Sequence, residues 1–122
     1  MDIQKPEKKG DAELFQLLGE KLNQGAYFFS NHAKQRLAER KIYEYEVLDI
    51  LKGKPDKKRR RRASKEKYTE EYNDWNYCVE GLDDHGDRLR VVFSFSETNT
   101  VVITVIRINL KWWKNNYEDK DS

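Results

Sequence analysis

Residues 101 to 108, VVITVIRI, are apolar almost throughout, and a run of that kind without alternation is expected of a central strand covered on both faces. Such a strand commits the chain to a sheet with neighbours on either side. The preceding segments alternate. In WNYCVEG, Trp75, Tyr77 and Val79 share one face, and in RLRVVFSF, Leu89, Val91, Phe93 and Phe95 do the same. The connectors LDDHGD and SETN are turn-rich and of hairpin length, so the carboxy half is predicted to be an antiparallel meander. EKYTEEY can add an edge strand.

The amino half follows the helical period. Asp11 can cap a first helix with Leu14, Leu17, Leu18 and Leu22 on its apolar side, and Gly25 stops it. A short extended piece, Tyr27 to Phe29, leads to Ser30, whose hydroxyl suits the N-cap of a second helix running to about Lys41 with Ala33, Leu37 and Ala38 inward. A third helix, Glu44 to Lys52, buries Val47, Leu48 and Leu51 and ends at Gly53, with Pro55 just beyond. Helices first and strands afterwards argue for an α+β fold: an antiparallel sheet of three to five strands with the helices packed on one face. With 122 residues, 37% of them hydrophobic, the chain can fill one two-layer core. That domain is expected over residues 11–110, after a disordered segment 1–10 and before a polar tail 111–122 that carries Trp112 and Trp113.

Several classes are excluded on these grounds. MDIQKPEKKGD has no apolar run after its lysines and is not expected to act as a secretory signal, and no segment approaches a membrane span. The single cysteine, Cys78, forms no internal disulfide, which agrees with a reducing, cytoplasmic setting. There is no Gly-rich phosphate loop or nucleotide fingerprint, so no cofactor is expected. The two histidines lack the spacing of a metal site.

Charge is unevenly distributed. Residues 52–67 hold ten basic and two acidic residues, a local +8, which leaves 14 basic and 20 acidic residues elsewhere, or −6. Lys57, Lys58, Arg59, Arg60, Arg61 and Arg62 are consecutive, and six adjacent cations are expected to form an exposed loop or an irregular edge that contacts phosphates; the alternative is that the run pairs with the chain's own acidic surface or with an acidic partner protein. Tyr68, Tyr72, Trp75 and Tyr77 can stack on unpaired bases, which makes RNA the expected partner, or the tyrosines cover the sheet. Arg88 and Arg90 share the face opposite Leu89 and Val91, and Arg107 closes an otherwise apolar strand, where a charge must be paired or reach a cleft.

His32, Arg36 and Arg40 recur every fourth residue and so form a slowly drifting stripe, each about 40° from the last, with Gln35 and Glu39 beside them. An imidazole next to two guanidiniums can act as a base at a phosphate, though a solvated helix face has the same pattern. His85, within DDHGD, reads as a turn residue.

The stretches FSNHAKQRLAERKI, YEVLDILKGKP, YCVEGLDDHGDRLRVVFSF and TNTVVITVIRI together resemble a small bacterial domain family of unknown function. Its pattern is S-x-H-A-x-x-R-x-x-x-R followed by a β-meander, and it is similar to the RelE, ParE and MqsR toxins of toxin–antitoxin pairs. The resemblance covers roughly residues 12 to 108 and implies a RelE-like fold, a cognate protein antitoxin and a metal-independent endoribonuclease, or mRNA interferase, acting on mRNA or ribosomal RNA. The motif falls on Ser30, His32, Ala33, Arg36 and Arg40, with Gly81 and the last strand as supporting matches. The basic insertion at 55–67 departs from the pattern. Metal-free cleavage needs a base, cations for the charge building on phosphorus, and an acid for the leaving oxygen. His32 is the candidate base or acid; Arg36, Arg40 and Arg107 are candidate stabilisers; Tyr77, Glu39 or His85 could carry the second proton. ParE-like relatives poison a topoisomerase, so a non-catalytic binding protein using the basic loop is the alternative.

Overall fold

The computed structural model describes residues 6–71 and 73–108; Tyr72, Trp112 and Trp113 lie outside them. Helix α1 (Asp11–Asn23) leads to strand β1 (Tyr27–Phe29), then to α2 (Asn31–Arg40) and α3 (Glu44–Lys52). A short 3-10 turn (Pro55–Lys57), β2 (Arg60–Arg61), a second turn (Ala63–Lys65) and β3 (Lys67–Thr69) precede the long strands β4 (Asp74–Leu82), β5 (Arg88–Phe95) and β6 (Thr100–Ile108).

Local signals placed the helix ends. Ser30 Oγ accepts the Ala33 amide at 3.0 Å and donates to the Ile103 carbonyl at 2.9 Å, so the cap of α2 also ties it to the sheet. Gly25 (φ +71°) and Gly53 (φ +76°) hold left-handed conformations just after α1 and α3, where a side chain would be strained. Asp11 does not cap α1: Gly10 does, and the Asp11 carboxylate accepts from Arg61 at 2.8 Å.

The fold is α+β, but its six-stranded sheet is mixed and open, in the order β1-β6-β5-β4-β2, with β3 also on β4. The expected antiparallel meander therefore needs correction. β4, β5 and β6 are antiparallel neighbours, whereas β1 joins β6 in parallel, Phe28 beside Val101. No hairpin links β1 to β6, so nothing local sets their relative direction. The two-sided cover expected for VVITVIRI holds at Val101 and Val102, which are fully buried, and fails at Ile106, which reaches solvent.

The core lies between the helices and one sheet face. Leu14 and Leu18 of α1, Ala33 and Leu37 of α2, and Val47, Ile50 and Leu51 of α3 meet Tyr77, Val79, Leu89, Val91, Phe93 and Val105. α3 packs tightly on the sheet at Gly81. A Cβ there would stand 2.7 Å from Ile50 Cγ2 and 3.1 Å from the Lys57 carbonyl. Gly81→Ala should therefore cost about 1–3 kcal/mol through overpacking, read as a lower urea midpoint at unchanged slope. An unchanged midpoint would mean that α3 can move away freely.

Candidate functional site

α2 is held to the sheet by Ala33 and Leu37, and this turns its polar stripe outward. His32 is exposed in the first turn. Arg36 donates from Nη1 to Glu39 Oε1 at 2.7 Å, and Arg40 Nη1 stands 3.8 Å from the same oxygen. The hydrogen bond from Arg36 holds the Glu39 carboxyl below its usual range. Glu39 is thus kept as a carboxylate, a poor proton donor.

Arg107 reaches α2 from the end of β6. Its Nη1 donates to the Arg40 carbonyl at 2.9 Å, its Nη2 to Asp83 Oδ2 at 3.3 Å, and its Nε lies 3.9 Å from Asp87. A strand-end guanidinium therefore satisfies a helix C-terminal carbonyl, where the helix dipole favours a cation. Arg36, Arg40 and Arg107 gather at this end of α2. His32 stands eight residues from Arg40, about 12 Å along the axis. Arg40 Nη1 and Arg107 Nε are buried without a hydrogen-bond acceptor, an arrangement that costs free energy until an acceptor arrives.

The basic run is an edge of the sheet paired with the chain's own acids, the alternative to the exposed loop expected of six adjacent cations. Lys57 is buried, with Nζ 2.7 Å from Asp84 Oδ1. Arg59 donates to the Leu51 carbonyl at 2.8 Å and lies 3.8 Å over the Phe15 ring. Arg61 forms a fork on Glu66 at 2.9 and 3.0 Å, and Arg62 bonds Glu80 at 3.0 Å. Lys58 and Arg60 remain exposed. The run folds because β2 pairs with β4 and brings acids distant in sequence beside its cations.

Glu80 is fully buried at the middle of this group. Its Oε2 accepts from Arg62 and Arg90, both at 3.0 Å, while Oε1 lies 3.6 Å from Arg88 and 3.8 Å from Arg60. Tyr77, taken as a base-stacking residue and candidate proton carrier, is in the core, and its hydroxyl accepts the Lys9 amide at 3.2 Å. Burial raises its pKa and keeps it neutral. Trp75 is half-buried, and its indole donates to the Pro6 carbonyl at 2.9 Å.

The β4–β5 turn joins these parts. Buried Glu46 accepts the Tyr43 amide with one oxygen and the Asp84 amide with the other, at 2.9 and 3.0 Å. Asp84 also accepts from the Tyr45 hydroxyl, and that bond pushes the Tyr45 pKa up to about 12. Tyr43 and Tyr45 are 68% and 51% exposed and stack with centroids 5.8 Å apart. Sequence reasoning missed Glu46, Glu80, Asp83 and this tyrosine pair. The i, i+2 tyrosines at a helix start were a visible signal; the acids had none, since their partners come from other strands.

Among the described residues no helix is long and apolar enough to cross a membrane. No curated protein and no solved structure matches the chain. One family does, over residues 29–107, a span that runs from the end of β1 through α2 and the β4–β5 turn to Arg107. The chain belongs to that family, described as a domain of unknown function (DUF4258).

Proposed function

We propose that the chain is a toxin of RelE-like kind that cuts RNA as a metal-independent endoribonuclease, with the outer side of α2 and Arg107 as its phosphate site. The carrying observation is that α2 keeps Arg36 and Arg40 out of the core and receives Arg107 at its end, where guanidinium nitrogens of Arg40 and Arg107 lack acceptors. A phosphate oxygen would supply one. In this reading His32 takes the proton from the 2′-hydroxyl and the arginines stabilise the charge on phosphorus. Among the candidates for the second proton carrier, Tyr77 is buried and Glu39 is held ionised. The exposed His85, on the turn that Arg107 holds, is the remaining one. The resemblance of the S-x-H-A-x-x-R-x-x-x-R stretch to a family similar to RelE, ParE and MqsR toxins, read from the sequence, supports the same reading, and with it a cognate protein antitoxin as partner.

A second reading has an observation of its own. Arg36, Arg40 and Arg107 already pair with Glu39, Asp83 and Asp87, and His32 stands apart, as a non-catalytic target inhibitor of ParE kind would allow. Expression of wild type and His32→Ala in a bacterial host, with total RNA mapped for new ends, separates the two. The nuclease reading expects new ends and growth arrest with wild type alone. Arrest by both proteins without new ends would replace it with the inhibitor.

A further inference from the structure

The arginines around Glu80 carry a second inference, independent of α2. Arg60, Glu80 and Arg90 meet across three adjacent strands, because Glu80 is paired with Arg60 on one side and with Arg90 on the other. Arg62 follows in β2's line and Arg88 precedes in β5, so four guanidiniums lie within 4 Å of one carboxylate. Their roles differ. Arg62 and Arg90 are hydrogen-bonded to Oε2 and largely covered, and they organise the carboxylate. Arg60 and Arg88 approach Oε1 only at ion-pair distance, and that buried oxygen accepts no hydrogen bond. Among the described residues neither Arg60 nor Arg88 donates a side-chain hydrogen bond, while the Arg60 side chain is 60% exposed and that of Arg88 24%.

Two reachable guanidiniums are thus held side by side by one buried anion that uses the donors of neither. Like charges packed this way repel one another, and a fold that needed only to neutralise Glu80 would do so with the two arginines it already bonds. We infer that Arg60 and Arg88, positioned by Glu80 with Arg62 and Arg90, form a binding site for a phosphate group on the sheet face away from the helices. Guanidinium forks match phosphate oxygens in geometry as well as charge, and two of them can take one phosphate from both sides. The phosphate could belong to an RNA backbone or be free in solution.

The test uses the full chain and two probes, inorganic phosphate and a short single-stranded 2′-O-methyl RNA, which cannot be cut through its 2′-hydroxyl. Arginine Nε–Hε signals are followed by NMR, with urea unfolding in parallel. Phosphate should shift the Arg60 and Arg88 signals, and Arg60→Ala and Arg88→Ala should each weaken phosphate binding by about tenfold or more. Both variants should unfold at the wild-type urea concentration or above it, since each relieves repulsion. If the RNA shifts the same signals and Arg60→Ala lowers the salt slope of RNA binding by about one unit, the source is a nucleic-acid backbone. A response to inorganic phosphate alone makes it a free phosphate group. No shift from either probe, or variants that lose stability and bind phosphate as before, would make the cluster structural and overturn the inference. Shifts of the same signals by poly-glutamate without any response to phosphate would overturn it in favour of an acidic protein segment.

Discussion

Glu80→Ala should destabilise the fold by about 3–5 kcal/mol, the range for removing one partner from a buried ionic group. The carboxylate is 0% exposed and is the acceptor for Arg62 and Arg90. Without it, Arg62 stays buried and loses its hydrogen-bonded carboxylate, and the guanidiniums of Arg60, Arg88 and Arg90 face each other across β4. Arg60 and Arg88 can turn toward water and recover part of the loss, so the effect falls mainly on Arg62 and Arg90. Glu80→Gln keeps an acceptor oxygen and the side-chain volume while losing the charge, and it should fall between wild type and alanine. Urea unfolding with all three proteins measures this. Equal stability of the alanine variant and wild type would show that solvent screens the arginines from one another without Glu80.

On the proposed nuclease reading, His32→Ala should lower RNA cleavage by the purified protein about 10²- to 10⁴-fold, the usual contribution of a positioned general acid or base. Stability should change by no more than about 0.5 kcal/mol, because the side chain is exposed in the first turn of α2, outside the core residues Ala33 and Leu37. The two quantities must be measured on the same preparation. Loss of cleavage with intact unfolding behaviour supports the nuclease; loss of both together would mean that His32 positions α2 and takes no part in chemistry.

What could be read in the sequence was whatever neighbours along the chain decide. The Ser30 cap, the left-handed glycines after α1 and α3, and the inward alternation of Leu89, Val91 and Phe93 all depend on a few adjacent residues. The same alternation placed Tyr77 beside Val79 on the covered face, so its burial was legible even as its hydroxyl invited a catalytic role. Pairing was harder to foresee. A run of six cations looks self-repelling until the register of β2 on β4 sets Arg60 against Glu80, and until a turn far along the chain brings Asp84 to Lys57. The three residues of β1 carry no mark of a parallel partner seventy-odd positions away. At the candidate site, the spacing of His32, Arg36 and Arg40 was visible, but the engagement of Arg107 with the Arg40 carbonyl required the last strand to be in place.

That parallel pairing sets an order of events during synthesis. Tyr27 to Phe29 find their ladder partners only when Thr100 to Val102 have emerged, and Ser30 Oγ waits for the Ile103 carbonyl. Closing so long a loop is slow compared with forming a helix or hairpin. A nascent chain stopped before Thr100 would therefore hold the whole motif in covalent form with no strand to dock it against, and its α2 would be exposed to chaperones and proteases. Docking of α2 at the sheet therefore waits for the final strand to emerge.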